Sequence, residues 1–177
     1  MLFNLSDTLK LVYVQAACQD RRIINCKKVK IERANINDNE ILTEITKKSK
    51  AFWGYSEEQI LKWNDSLTIS EVYIESNTAF KLLNDNIVIG YYSYIIEEED
   101  IARLDNLFVL PDYIGKGFGK YLVDDFLKRM RNQKIKKIIL DSEPNATEFY
   151  LKIGFEKIGE VETSIKNRFM PIMEMKL

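Results

Sequence analysis

"LFVLPDYIGKGFGKYL", residues 107–122, joins an apolar strand-like run to the start of an amphipathic stretch through a turn holding three of the chain's seven glycines. Gly115, Gly117 and Gly119 alternate with Lys116 and Phe118, and Lys120 follows. A helix start exposes backbone N–H groups and the positive end of the macrodipole, and glycines let an anion approach that backbone closely. Lys116 and Lys120 add positive charge. Residues 115–120 therefore read as a phosphate cradle; the plainer alternative is a strand-to-helix turn that needs only positive φ. Two known cradles fit poorly. A nucleotide P-loop needs a longer spacing between its glycines and then Lys-Ser/Thr, whereas Tyr121 follows Lys120 here. A dinucleotide fingerprint sits at the end of its strand, whereas these glycines lie several residues past it, and too little chain remains after Asp141 for a second βαβ half.

Upstream, "VKIERA" from Val29 alternates as a strand, and "NDNEILTEITKKSKAF" carries Ile41, Ile45 and Ala51 at near-helical spacing. "SEEQILKWND" opens with a Ser56 and Gln59 capping box and predicts a second, short helix. "AFKLLNDNIVIGYYSYII" contains two β-rich runs hinged at Asn84-Asp85-Asn86, and "IARLDNLFVL" adds a third after the acidic turn Glu97 to Asp100. These form an antiparallel meander. Downstream, Phe118, Leu122, Phe126 and Met130 make one helical stripe, and "KKIILDS" is a short buried-type strand. "NATEFYLKIGF" is a helix opened by Asn145, with Glu148 three residues on, and closed by Gly154. "FEKIGEVE" and "FMPIMEMKL" finish as strands. Residues 1–28 do not join this rhythm, so an N-terminal extension at 1–28 is expected before one domain at 29–177.

A length of 177 residues suits a single α/β domain. With 46% apolar residues, 30% charged residues and a net charge of -1, the chain reads as globular with no broad attraction for nucleic acid. Anion binding must be local. No run reaches membrane-spanning length, so neither nucleic acid nor membrane is an expected partner. The absence of histidine excludes histidine-based triads and thiolate-histidine pairs, and Cys18 and Cys26 match no zinc spacing, so no metal is expected. "LKLVYVQAAC", residues 9–18, faintly resembles a signal core, but it is very short and Asp7 and Gln15 argue against export. A cytoplasmic location is expected.

The order of elements, with "LFVLPDYIGKGFGKYL" followed by "DSEPNATEFYLKIGFEKIG", resembles the GNAT superfamily of acyl-CoA-dependent N-acyltransferases over about residues 29–177. That family pattern is a strand ending in apolar-Val-x-Pro, then Arg/Gln-x-x-Gly-x-Gly/Ala opening a long helix, a strand, and Asn-x-x-x-x-Tyr before Gly-Phe. The resemblance implies a mixed, mostly antiparallel central sheet flanked by helices, splayed between strand 101–110 and strand 137–142. It implies acetyl-CoA as co-substrate, bound at Gly115, Lys116, Gly117, Phe118, Gly119 and Lys120, with its pantetheine arm paired to the backbone of Phe108 and Val109. Ile114 stands where the family has Arg or Gln, which leaves the cradle to backbone N–H groups and the two lysines.

The implied reaction moves an acetyl group from acetyl-CoA to a primary amine of a small molecule or peptide by direct attack in a ternary complex. The alternative is a non-catalytic acyl-CoA-binding sensor of the same fold. By resemblance, the Val109 N–H is the oxyanion donor and Tyr150 assists the leaving thiolate; otherwise Tyr150 is a core aromatic beside Phe149. A tyrosine with pKa about 10 transfers a proton to a thiolate with pKa about 8.5 only uphill, by roughly 2 kcal/mol, so a hydrogen bond to sulfur is the expected help. Asn145 is a CoA contact or a helix cap. Asp105, which the two-residue period puts on one face with Leu107 and Val109, is the candidate base, with solvent deprotonation as the alternative. Trp53 and Tyr55, around Gly54, lie where the family has an acceptor lid, and Arg168 is a candidate partner for an acceptor carboxylate. A monomer or a homodimer suits this reading.

Overall fold

The computed structural model describes residues 29–163, 165 and 168–177; the extension expected at 1–28, with both cysteines, lies outside the described residues. The chain begins with β1 (Val29–Arg33), a 3-10 turn at Ile36–Asp38, and three helices: α1 (Asn39–Phe52), α2 (Glu57–Lys62) and α3 (Glu71–Ser76). The meander follows as β2 (Thr78–Asn84), β3 (Ile87–Glu98) and β4 (Ile101–Val109). Then come α4 (Phe118–Asn132), β5 (Lys137–Asp141), α5 (Thr147–Ile153), β6 (Glu156–Glu162) and β7 (Phe169–Lys176). The strands form one seven-stranded sheet in the order β1-β2-β3-β4-β5-β7-β6.

Every strand pair is antiparallel except β4 with β5. That parallel pairing covers only Ile101–Arg103 against Lys137–Ile139. Beyond Arg103 the two strands part, and a gap opens in the middle of the sheet, as the expected splay requires. The β2–β3 hairpin turns on Asp85 (φ 51°) and Asn86 (φ 68°), two consecutive left-handed residues whose twist matches that of the strands.

Each face of the sheet buries its own core. On one side α4 sets Phe118, Leu122, Phe126 and Met130 against Tyr92, Tyr94 and Leu104, which confirms the stripe expected from its spacing. Burying each such side chain contributes about 1.5–3 kcal/mol. On the other side Leu42 and Ile45 of α1 and Ile74 of α3 pack with Ala79 and Tyr91. α3 is the one helix that the periodicity does not reveal. It has six residues, capped by Ser70 accepting from the Tyr73 N–H, and its interior-facing residues are too few to set a period.

Two local readings change. Asn145 does not cap α5, because Pro144 starts a 3-10 turn through Ala146, which leaves Asn145 exposed within that turn and Ala146 at the cap position without a side-chain bond. Asp105 does not share a face with Leu107 and Val109. Ser93 pairs with Asn106 while Tyr94 pairs with Leu104, so Asp105 is the extra residue of a bulge that breaks the two-residue period.

Candidate active site

The gap between β4 and β5 decides which backbone groups are available. Leu110 N–H donates to Ile89 O at 2.8 Å in the register that pairs Phe108 with Tyr91 and Val109 with Gly90. Antiparallel pairs alternate between bonded and non-bonded, so Phe108 turns its N–H and C=O to Tyr91, while those of Val109 face away from β3. The Ser49 hydroxyl of α1 donates to Val109 O at 2.8 Å, which agrees. Val109 thus keeps the outward N–H expected of it. Phe108 does not: it offers the gap no backbone donor, and by alternation Leu107 takes that place. Gly90 is what allows the approach, since a Cβ there would stand 2.7 Å from Phe108 O.

At the open end of the gap, Gly115 (φ 76°) and Gly117 (φ 88°) both adopt left-handed backbone, and Gly117 caps α4. The first helical bond runs from Tyr121 N–H to Gly117 O at 3.0 Å, so the N–H groups of the first turn have no partner within the helix. Ile114 is partly buried against the core, an apolar anchor for the loop. Lys116 Nζ lies 5.6 Å from the centre of the Tyr113 ring, and Lys120 pairs with Asp124 at 2.6 Å. The backbone is the fixed part of this turn, and the two lysines are exposed.

Tyr150 is buried in the same core as Val109, edge-on to Phe149 and Phe155. Among the described residues none is hydrogen-bonded to its hydroxyl, and burial pushes its pKa above the ordinary 10. A neutral phenol that holds its proton this firmly is suited to donate a hydrogen bond and poorly suited to release the proton.

The α1 and α3 side of β4 carries two side-chain networks that lay hidden in the sequence. Glu143, just after β5, accepts from Lys50 at 2.9 Å, from the Tyr55 hydroxyl at 2.7 Å and from Arg168 at 2.7 Å. Burial alone would raise the Glu143 pKa, but the hydrogen bonds from Tyr55 and Lys50, with both cations, outweigh it and hold the carboxyl below its ordinary value. Burial and the Glu143 bond push the Tyr55 hydroxyl up to about 12. Arg168 also donates to the Tyr55 hydroxyl. It is therefore not a solvated strand-end residue: its Nη2 is committed to Glu143 and Tyr55. Trp53 packs edge-on to Phe52, and Tyr55 edge-on to Trp63, so the two expected lid aromatics point into different contacts.

The second network joins Tyr73, Ser93, Asp105 and Asn106. Tyr73 donates to Asp105 Oδ2, Asn106 Nδ2 lies 2.9 Å from the same oxygen, and Ser93 Oγ lies 2.7 Å from the Tyr73 hydroxyl. Tyr73, Asp105 and Asn106 line a cavity of about 300 Å³ with Lys50, Leu67 and Phe108. Asp105 thus faces α3, where the bulge turns it.

A sequence model of the acetyltransferase (GNAT) domain matches residues 51–177. The chain is 31% identical over 94 residues to the [ribosomal protein bS18]-alanine N-acetyltransferase of Haemophilus influenzae, covering 51% of this chain and 60% of that protein. It is 36% identical over 55 residues to the glucosamine 6-phosphate N-acetyltransferase of Trypanosoma brucei brucei, covering 31% and 37%. The matches span between about a third and three-fifths of the length of these curated relatives. Among solved structures, the PaiA N-acetyltransferase of Thermoplasma acidophilum in complex with coenzyme A superimposes with a TM-score of 0.73 at 25% identity, covering 85% of this chain and 99% of that one.

Proposed function

The chain belongs to the GNAT acetyltransferase family, and from that premise we propose that it transfers an acetyl group from acetyl-CoA to a primary amine by direct attack in a ternary complex. The observation that carries this reading is the Val109 N–H turned into the gap beyond Arg103, beside a glycine-built helix start. The donor set suits acetyl-CoA. Left-handed Gly115 and Gly117 leave the first-turn N–H groups of α4 open to a pyrophosphate, and the outward backbone of Leu107 and Val109 offers a pantetheine amide a strand edge. Asn145, exposed beyond β5, is kept as a further CoA contact.

In this reading the acceptor nitrogen bonds to the thioester carbonyl carbon while the carbon–sulfur bond breaks. The Val109 N–H stabilises charge on the carbonyl oxygen. Tyr150 supports the departing sulfur by a hydrogen bond. Overall an ammonium and acetyl-CoA become an acetamide, CoA thiol and one proton, which leaves to solvent. The acceptor is read as a small amine, not a strongly basic chain, because a net charge of -1 offers no field to steer a polycation.

The experiment is thiol release from acetyl-CoA with a panel of alkylamines, amino acids, amino sugar phosphates and alanine-terminated peptides. Release with at least one small amine supports the reading. Tyr150→Phe keeps the ring packing and should lower kcat by about 100-fold with little change in acetyl-CoA affinity. Acetyl-CoA binding without release to any amine would leave the non-catalytic sensor in its place.

A further inference from the structure

We propose that the cavity beside β4 seats the acceptor as its ammonium ion on Asp105 Oδ1, and that Tyr73 is the residue that positions that carboxylate. The inference rests on the acetyltransferase reading and names its acceptor class: a small primary amine on a short carbon chain or ring.

The argument begins with hydrogen counting. A carboxylate only accepts, so the single hydroxyl hydrogen of Tyr73 goes to Asp105 Oδ2. Ser93, 2.7 Å from the Tyr73 oxygen, must then donate to it, and Ser93 accepts from Asn106 Nδ2 at 2.9 Å. Asn106 Nδ2 also lies 2.9 Å from the Tyr73 oxygen and from Asp105 Oδ2. Two hydrogens of the network reach Asp105, that of the Tyr73 hydroxyl and one of the Asn106 amide, and both fall on the same oxygen, Oδ2. Among the described residues none donates to Oδ1, and no cation is paired with Asp105.

Charge on the cavity wall points the same way. Lys50, which lines the same cavity, is paired at 2.9 Å with Glu143, which also holds Arg168. Asp105 is the lining carboxylate without a cation of its own, so a ligand that brings one gains a charge-assisted bond the chain does not supply. Leu67, Ile69 and Phe108 give part of the wall an apolar surface for a short carbon body, beside Thr46, Ser66 and Thr68. At about 300 Å³ the space is at the small end of ligand pockets. Phe108 and Asp105 belong to the strand that carries Val109, and Asp105 lies beyond Arg103, where that strand parts from β5.

The test separates this inference from the reading beneath it by measuring binding without transfer. Calorimetry on the CoA-bound protein would use propylamine, butylamine and benzylamine, each beside its N,N,N-trimethyl counterpart, which carries the charge but cannot be acetylated. At least one primary amine is expected to bind, its trimethyl counterpart, which keeps the charge but has no N–H to give Oδ1, more weakly, and the matching alcohol should not. Asp105→Asn should weaken that binding by about 10- to 100-fold, the scale of a hydrogen bond to a charged group. Tyr73→Phe should weaken it about tenfold and Ser93→Ala less. In turnover, Tyr73→Phe should raise the amine KM while kcat and the acetyl-CoA KM stay close to wild type, a split that the loss of Tm expected from leaving the buried Ser93 hydroxyl without its acceptor would not by itself produce. Failure of every cation to bind, or equal binding by wild type and Asp105→Asn, would overturn the proposal even if acetyl transfer proceeds.

Discussion

The two sides of β4 are built by different means. Toward β5 the candidate surface is backbone: the Val109 N–H, the left-handed glycines at 115 and 117, and the open first turn of α4. Toward α1 and α3 it is side chains: Glu143 with Lys50, Tyr55 and Arg168, and Asp105 with Tyr73, Ser93 and Asn106. A backbone surface can hold one ligand whatever side chains surround it, because every residue but proline supplies an N–H. A side-chain surface can differ from one protein to the next without disturbing the sheet. Breaking each side should therefore give different symptoms, loss of the cofactor on one and loss of acceptor or architecture on the other.

The largest effect is expected on the backbone side. Acetyl-CoA at a hundredfold excess over Kd adds about 2.7 kcal/mol, which raises the melting temperature of a domain this size by roughly 5–10 °C. Gly117→Glu puts bulk and negative charge at the α4 cap, in a φ of 88° that glycine tolerates best, and should abolish that shift. A full shift in this variant, followed by differential scanning fluorimetry, would mean that the glycine turn is only a turn.

On the side-chain side the next effect is one of stability. Lys50, Arg168 and Glu143 have side chains only 12–18% exposed, and Glu143 ties α1 and the segment after it to the strand ends at β5 and β7. Glu143→Gln leaves two cations without their carboxylate and should cost about 2–3 kcal/mol, less than a fully buried pair because water reaches the edge. The pH dependence follows from the lowered pKa. The contribution is complete above the ordinary glutamate value of 4.5 and is lost as pH falls through the lower folded value. The melting curves of wild type and Glu143→Gln should therefore converge in acid. A constant gap from neutral pH down to the acid limit would assign the loss to packing.

The same contrast explains what could be read in advance. The glycine turn, the α4 stripe, the helix that carries Tyr150 and its closing Gly154 lie in contiguous stretches, and their spacing carries them. Glu143 could not be found this way, because its partners stand 93, 88 and 25 residues off. Asp105 could be picked out, but its direction could not, since a one-residue bulge reverses the face and leaves no mark in the run "LDNLF". The pairing of Phe108 was misplaced for a related reason. Which residues of a strand turn their N–H outward depends on the partner's register, and register is a property of two segments. The alternative reading of Asn145 as a cap failed because Pro144 begins a 3-10 turn one residue earlier.

The smallest effect asks whether side chains contribute on the backbone side at all. Lys120 is paired with Asp124 at 2.6 Å, and both side chains are more than half exposed. Exposed pairs of this kind are worth about 0.2–1 kcal/mol, so Lys120→Gln should leave Tm nearly unchanged and weaken acetyl-CoA by only about 2- to 5-fold. Lys116, resting over Tyr113, should behave alike. Salt supplies the control. At about 0.5 M ionic strength the screening length is only a few ångströms, so the difference between wild type and Lys120→Gln should close, while the binding that remains belongs to fixed N–H groups. Affinities measured at two salt concentrations decide it. A loss far above fivefold that persists in high salt would place a buried, directed lysine contact in the cradle, and the division of β4 into a backbone side and a side-chain side would fail there.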